Sequence, residues 1–202
     1  MAVGISSAES SPLVPQDGPT AMADPVEVVV PDDGLFEVVD GKLVEKDVGT
    51  QQVEIAFDMA YAIAMFAKPR RLGRALTEMV FRIDRAKNLQ RRPDASFVSD
   101  GRWPFRRRVP DVPVWDMVPD LAIEVISPNN SADEVQDKRL EYFQAGVNQV
   151  WVVYPKHREI HVFTSPTQVR ILTADQELDG GDLLPGFRLP LASIFEDEPE
   201  AE

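Results

Sequence analysis

Apolar and polar positions change period several times along this 202-residue chain, and each change marks a structural element. Residues 34–45 (GLFEVVDGKLVE) hold two short β-prone runs on either side of Asp40-Gly41, a strong hairpin-turn signal. Residues 52–66 (QVEIAFDMAYAIAMF) shift to a helical period, with Ile55, Met59, Ala62, Ile63 and Phe66 along one face. Residues 76–83 (LTEMVFRI) alternate as one strand and 93–99 (PDASFVS) as a second. Residues 121–127 (LAIEVIS) are apolar on both faces, which places that strand in the middle of a sheet. A helix over 131–145 starts with the capping box Ser131/Glu134 and stops at Gly146. Strands over 149–154 and 160–164 follow, and 185–195 (PGFRLPLASIF) closes the domain with a short turn of helix. This order predicts an α/β domain, a mixed β-sheet core flanked by helices, over residues 25–195.

Outside that domain the pattern fades. Residues 1–24 are rich in Ser, Ala and Pro without periodicity and predict a disordered tail, and 196–202 form an acidic tail. No internal repeat is present. No apolar run approaches the ~20 residues that cross a bilayer, and the N-terminus lacks the basic start and apolar stretch of a signal peptide. With no cysteine there is neither a disulfide frame nor a thiolate metal site, and His157 and His161 are the sole histidines. The expected location is the cytoplasm.

Charge alters the picture. The formal net charge of -13 alone argues against a nucleic-acid partner. Between residues 68 and 108, however, thirteen Lys and Arg face four acids, a local excess of nine positive charges inside an acidic protein. Such a block is either a phosphate-binding face or a solvated surface paired with the acidic remainder.

Glu124 is the most informative residue. An ionised carboxylate in an apolar strand costs several kcal/mol unless it is paired or holds a cation. Asp120 shares its face but lies about 13 Å away at ~3.3 Å per residue, too far to grip the same ion directly. A second carboxylate must come from a neighbouring strand, and Asp94, at the start of the preceding one, is the candidate. Asp94 can equally be a turn residue after proline. Lys138 falls on the sheet-facing arc of its helix, between Val135, Tyr142 and Ala145, with Arg139 beside it and Asp137, Glu141 and Gln144 opposite. It either snorkels at the helix edge or reaches back to Glu124 and stabilises developing charge. Two carboxylates and a lysine form a hard-oxygen site suited to Mg²⁺ or Mn²⁺ rather than zinc.

The stretch PDLAIEVISPNNSADEVQDKRLEYFQAGVNQVWVVYP (119–155) resembles the Uma-type family of restriction endonucleases. FEVVDGKLVE, LTEMVFRI, RRPDASFV and LPGFRLPLASIF agree with it in order, so the resemblance covers roughly 34–195. It implies a restriction-endonuclease-like fold of the PD-(D/E)xK class and metal-dependent DNA hydrolysis. By that resemblance Asp94 and Glu124 match the two acids. Ile126 stands where the motif lysine normally follows, and Lys138 matches the helix lysine that replaces it. Asp120 also matches a family position and is a further metal candidate, through water or in place of Asp94. Gln52 stands where the family often has histidine.

Two functional readings remain: a metal-dependent DNA endonuclease, or the same fold used as a catalytically inactive nucleic-acid- or protein-binding module. A purely structural pairing of Glu124 with Lys138 is the third possibility. Arg91, Arg92, Arg106, Arg107 and Arg108 are the expected nucleic-acid contacts. A homodimer would suit cleavage of two strands, but no interface is legible.

Overall fold

In the computed structural model, residues 28, 31 and 34–195 are described. The two predicted tails and most of 25–33 lie outside that range. The chain forms a mixed α/β fold built on one large sheet and a smaller one.

The hairpin forms as predicted. β1 (Phe36–Val39) and β2 (Lys42–Glu45) pair antiparallel, and Asp40 and Gly41 both adopt positive φ at the turn. α1 (Thr50–Arg70) extends beyond the expected helix because Lys68 to Arg70, Pro69 included, continue the last turn, and Arg71 caps it in the left-handed region. The alternating run 76–83 is two strands rather than one. Glu78 takes a φ of 53° and bends the chain between β3 (Gly73–Thr77) and β4 (Phe81–Asp84), which join different sheets. Periodicity continues across such a bend, so the sequence hides it.

β5 (Leu89–Arg91) pairs with β4 and β1, completing the small sheet β2-β1-β5-β4. β6 (Ala95–Ser99), β7 (Leu121–Val125), α2 (Ala132–Ala145), β8 (Gln149–Tyr154) and β9 (Glu159–Ser165) follow the expected order. β10 (Gln168–Thr173) completes the large sheet, β10-β9-β8-β7-β6-β3. Its one parallel pair, β7 with β8, is joined through α2. β11 (Glu177–Gly180) and β12 (Leu184–Pro190) make a separate ribbon that ends in α3 (Ala192–Phe195).

The sheet separates two apolar clusters. On one face Ile55, Met59 and Ile63 of α1 pack with Phe97, Leu121, Ile123 and Trp151. On the other, Tyr142 of α2 packs with Ala122, Val150, Val152 and Phe81. β7 is buried at every position, which explains its unbroken apolar run. Alternation then fixes the direction of Glu124: it shares the α2 face with Ala122.

Candidate active site

β6 and β7 are antiparallel, with Ala95 opposite Ile123 and Ser96 opposite Ala122. One step further along that register, Asp94 stands opposite Glu124. The backbone of β7 locks this placement, since Val125 N–H donates to Asp94 Oδ2 at 2.6 Å. Both carboxylates are buried, Asp94 at 4% and Glu124 at 8% exposure.

α2 supplies the remaining wall. Its capping box is complete: Ser131 Oγ accepts from Glu134 N–H, and Glu134 accepts from Ser131 N–H. This sets the helix phase so that Lys138 and Tyr142, one turn apart, face the sheet. Tyr142 donates its hydroxyl to Glu124 Oε1 at 2.6 Å, and Lys138 Nζ lies 3.6 Å from Glu124 Oε2. The structure therefore brings Asp94, Glu124 and Lys138 together.

Four further residues complete the site, and the sequence reading missed their roles. Glu37 of β1 pairs with Lys138 at 3.1 Å and with Arg91 at 2.8 Å. Lys46, just past β2, places its ammonium 2.6 Å from Asp94 Oδ1 and 3.3 Å from Glu78, and donates to Arg92 O at 2.8 Å. Glu78 sits at the bend that splits β3 from β4. Tyr142 was recognisable as sheet-facing from helical phase, but its hydroxyl bond was not. For Glu37, Lys46 and Glu78 only the ordinary look of hairpin and strand residues was available. Glu141, assigned by phase to the far side of α2, is half-buried and pairs with Arg91.

The electrostatics follow from burial. Burial pushes the Glu124 carboxyl up, Lys138 opposes that shift, Asp94 adds to it, and the net result is a raised pKa. For Lys138 burial works downward, but Glu124 and Glu37 overcome it and hold the ammonium above its usual range. Lys46 behaves likewise: burial lowers it, and Asp94, Glu124 and Glu78 raise it further. Glu37 ends below its usual value, because Lys138 and Arg91 outweigh its burial. Both lysines are thus fixed cations at neutral pH.

Other expected site residues lie elsewhere. Asp120 is at the opposite end of β7, where Ser99 N–H and Arg102 Nε each reach it at 2.7 Å and Asn148 at 3.0 Å. Its lone pairs serve the β6–β7 connection, and it does not join the Asp94–Glu124 pair. Arg91 is buried between Glu37 and Glu141, so its guanidinium is not offered to a phosphate. Arg92 is spent on the carbonyls of Phe36 and Glu78. Arg106, Arg107 and Arg108 are exposed, with Arg107 stacked 3.8 Å over Trp103. Their loop joins the end of β6 to the start of β7, the end remote from Asp94 and Glu124. Antiparallel pairing dictates that separation.

Glu37, Lys46, Glu124 and Lys138 line a cleft of about 430 Å³ whose rim carries Asp40, Glu45, Asp47 and Asp137. A second hollow of about 830 Å³ adjoins it through Ile126, Asn130, Val135 and Arg139. Gln52 borders this second hollow and reaches Ile126 O at 3.4 Å, so it supports the loop after β7 without touching either carboxylate.

Among the described residues, no three His, Asp or Glu side chains are grouped to ligate one ion by themselves. The donor chemistry nevertheless fits Mg²⁺ or Mn²⁺, which take one or two carboxylates and complete their shell with water and phosphate oxygens. The ammonium of Lys46 against Asp94 shows that this position accepts a cation. The acidic rim points the same way.

Residues 25–192 match the Uma2 family, described as "Putative restriction endonuclease". The chain belongs to this family. Its fold is similar to that of a crystal structure described as a putative nuclease belonging to DUF820 from Anabaena variabilis ATCC 29413. The TM-score is 0.69 at 20% identity, over 79% of this chain and 89% of the other. No curated protein matches the chain. Among the described residues no helix is long and apolar enough to cross a membrane.

Proposed function

We propose that this Uma2-family chain is a divalent-cation-dependent endonuclease that hydrolyses DNA phosphodiesters with water. The observation that carries this reading is the facing pair Asp94 and Glu124 with Lys138 at 3.6 Å. Asp94 and Glu124 would hold the Mg²⁺ or Mn²⁺. That ion, when bound, supplies Lewis-acid polarisation of the phosphate and a more acidic water.

The other roles belong to this chain's side chains. Lys138, held protonated by Glu37 and Glu124, stabilises negative charge on the phosphorane rather than accepting a proton. Burial raises the Glu124 carboxyl in the metal-free protein, and with Asp94 it would serve as a ligand of the ion. Tyr142 fixes the Glu124 rotamer through its hydroxyl. Glu37 positions Lys138, and Lys46 neutralises the buried Asp94 carboxylate.

A second reading, an inactive nucleic-acid- or protein-binding module, is favoured by the Lys46 ammonium already at Asp94 and by the acidic rim. Nicking of supercoiled plasmid with Mg²⁺ or Mn²⁺ separates the two. The nuclease reading expects cleavage by wild type and none by Glu124→Gln or Asp94→Asn, with binding retained. Plasmid binding without cleavage under any divalent ion would move the assignment to the binding module.

A further inference from the structure

α1 carries a feature that the active-site reading does not use. One side of the helix is core, where Ile55, Met59, Ile63 and Ala67 are buried. The other side leaves Val53, Phe57, Tyr61 and Met65 exposed at 54, 59, 56 and 59%. Scattered exposed apolar residues are ordinary, but four in one contiguous strip mark an interaction surface. The Phe57 and Tyr61 rings already stack on each other, with centroids 6.1 Å apart.

Within the strip, Phe57, Tyr61 and Met65 are symmetric about Tyr61, and Val53 extends it at the N-terminal end alone. At 100° per residue, Glu54, Tyr61 and Lys68 fall along one line, drifting by about 20° per seven residues. Phe57 and Met65 flank Tyr61 four residues to either side. Glu54 and Lys68 stand seven residues to either side, about 10.5 Å along the axis at 1.5 Å per residue. One end of the strip is acidic and the other basic.

A two-fold interface uses one patch on both subunits, so the patch must complement itself. An antiparallel copy of α1 centred on Tyr61 does this. Tyr61 meets Tyr61, Phe57 meets Met65, and Glu54 meets Lys68. A parallel copy would set like charge on like. We propose that the exposed face of α1 is the interface of a homodimer, antiparallel across a two-fold axis at Tyr61. The occupant is a second copy of this chain because the charges and apolar groups match in that arrangement. α1 and α2 lie on opposite faces of the large sheet, so the cleft between Glu124 and Lys138 stays open in the dimer. The proposal does not depend on the nuclease reading.

A single helix pair is small against the 1,200–2,000 Å² total of a standard interface, so dissociation on the order of micromolar concentration is expected. Sedimentation equilibrium of the full chain over a concentration series, with circular dichroism to monitor folding, tests this. Wild type is expected to dimerise, and Tyr61→Glu to be a folded monomer. Glu54→Lys and Lys68→Glu should each weaken dimerisation at least about tenfold, because each variant sets like charges together at both ends of the pair. Combined in one chain they should restore it, since every ion pair is then reversed but intact. A wild-type monomer at all concentrations overturns the proposal. So does a Tyr61→Glu dimer of wild-type strength, or a double charge variant as weak as the single ones.

Discussion

The ammonium of Lys46 lies 2.6 Å from Asp94 Oδ1, against the carboxylate proposed to hold a divalent ion. Removing it should separate fold stability from metal response. Without divalent ions, Lys46→Met leaves Asp94 and Glu78 facing each other uncompensated, at a cost of about 3–5 kcal/mol. With Mn²⁺ its melting temperature should rise more than that of wild type, because no internal cation competes. Equal Mn²⁺ shifts in the two proteins would show that Lys46 does not compete.

Glu37 and Lys138 should divide binding from chemistry. Glu37→Gln frees Lys138 from its 3.1 Å partner while leaving Asp94 and Glu124 in place. Plasmid nicking should fall tenfold or more, with the Mn²⁺-induced melting shift retained. Loss of the shift along with nicking would mean that Glu37 supports the metal site itself.

The pH dependence of Glu124 has a definite sign. Its folded pKa is raised above the ordinary 4.5, so its ionisation opposes folding as pH climbs from there through the folded value. Glu124→Gln has no such ionisation. Its stability relative to wild type, measured by urea unfolding, should therefore increase over that window and then level off. Glu37 has the opposite sign. Its depressed pKa contributes stability that is present above 4.5 and lost as pH falls through the folded value. A stability difference for Glu124→Gln that is flat with pH would contradict the buried, ionising carboxylate.

Asp120 is expected to be structural. Asp120→Ala removes the acceptor of Ser99 N–H and one of several Arg102 partners, Val118 O and Gly146 O remaining, and should destabilise by about 1–3 kcal/mol. Its Mn²⁺ shift should match that of wild type. A lost shift would return Asp120 to the metal site.

Arg106, Arg107 and Arg108 are the exposed members of the basic block. If they contact phosphates, replacing all three by Ala should weaken DNA binding evenly across sequences and reduce the salt slope by about 2–3, at ~0.9 per contact. An unchanged slope would restrict the basic loop to its contacts with Trp103 and the protein surface.

Much of this site was legible because its signals are local. Glu124 stood out as a charge in a fully apolar strand, and the capping box at Ser131 fixed the helical phase that turned Lys138 toward the sheet. The hairpin turn at Asp40-Gly41 was legible for the same reason: a positive-φ turn leaves its mark on two adjacent residues. Glu37, Lys46 and Glu78 left no such mark. Their meaning lies in ion pairs to residues far along the chain, such as Lys46 with Asp94, and no period reports such pairs. The same limit explains Arg91, which reads as a surface cation but is buried between Glu37 and Glu141. It also explains Asp120, which shares a strand face with Glu124 yet serves the other end of the sheet. The sequence by itself determined the α/β order, the capped helix and the oddity of Glu124 in an apolar strand, because periodicity, capping and strand alternation act over a few residues. The tertiary structure alone decided that Asp94 faces Glu124, that Lys46 neutralises Asp94, where the chain bends at Glu78, and that the basic loop lies remote from the carboxylates, because antiparallel pairing and long-range charge compensation are properties of the assembled sheet.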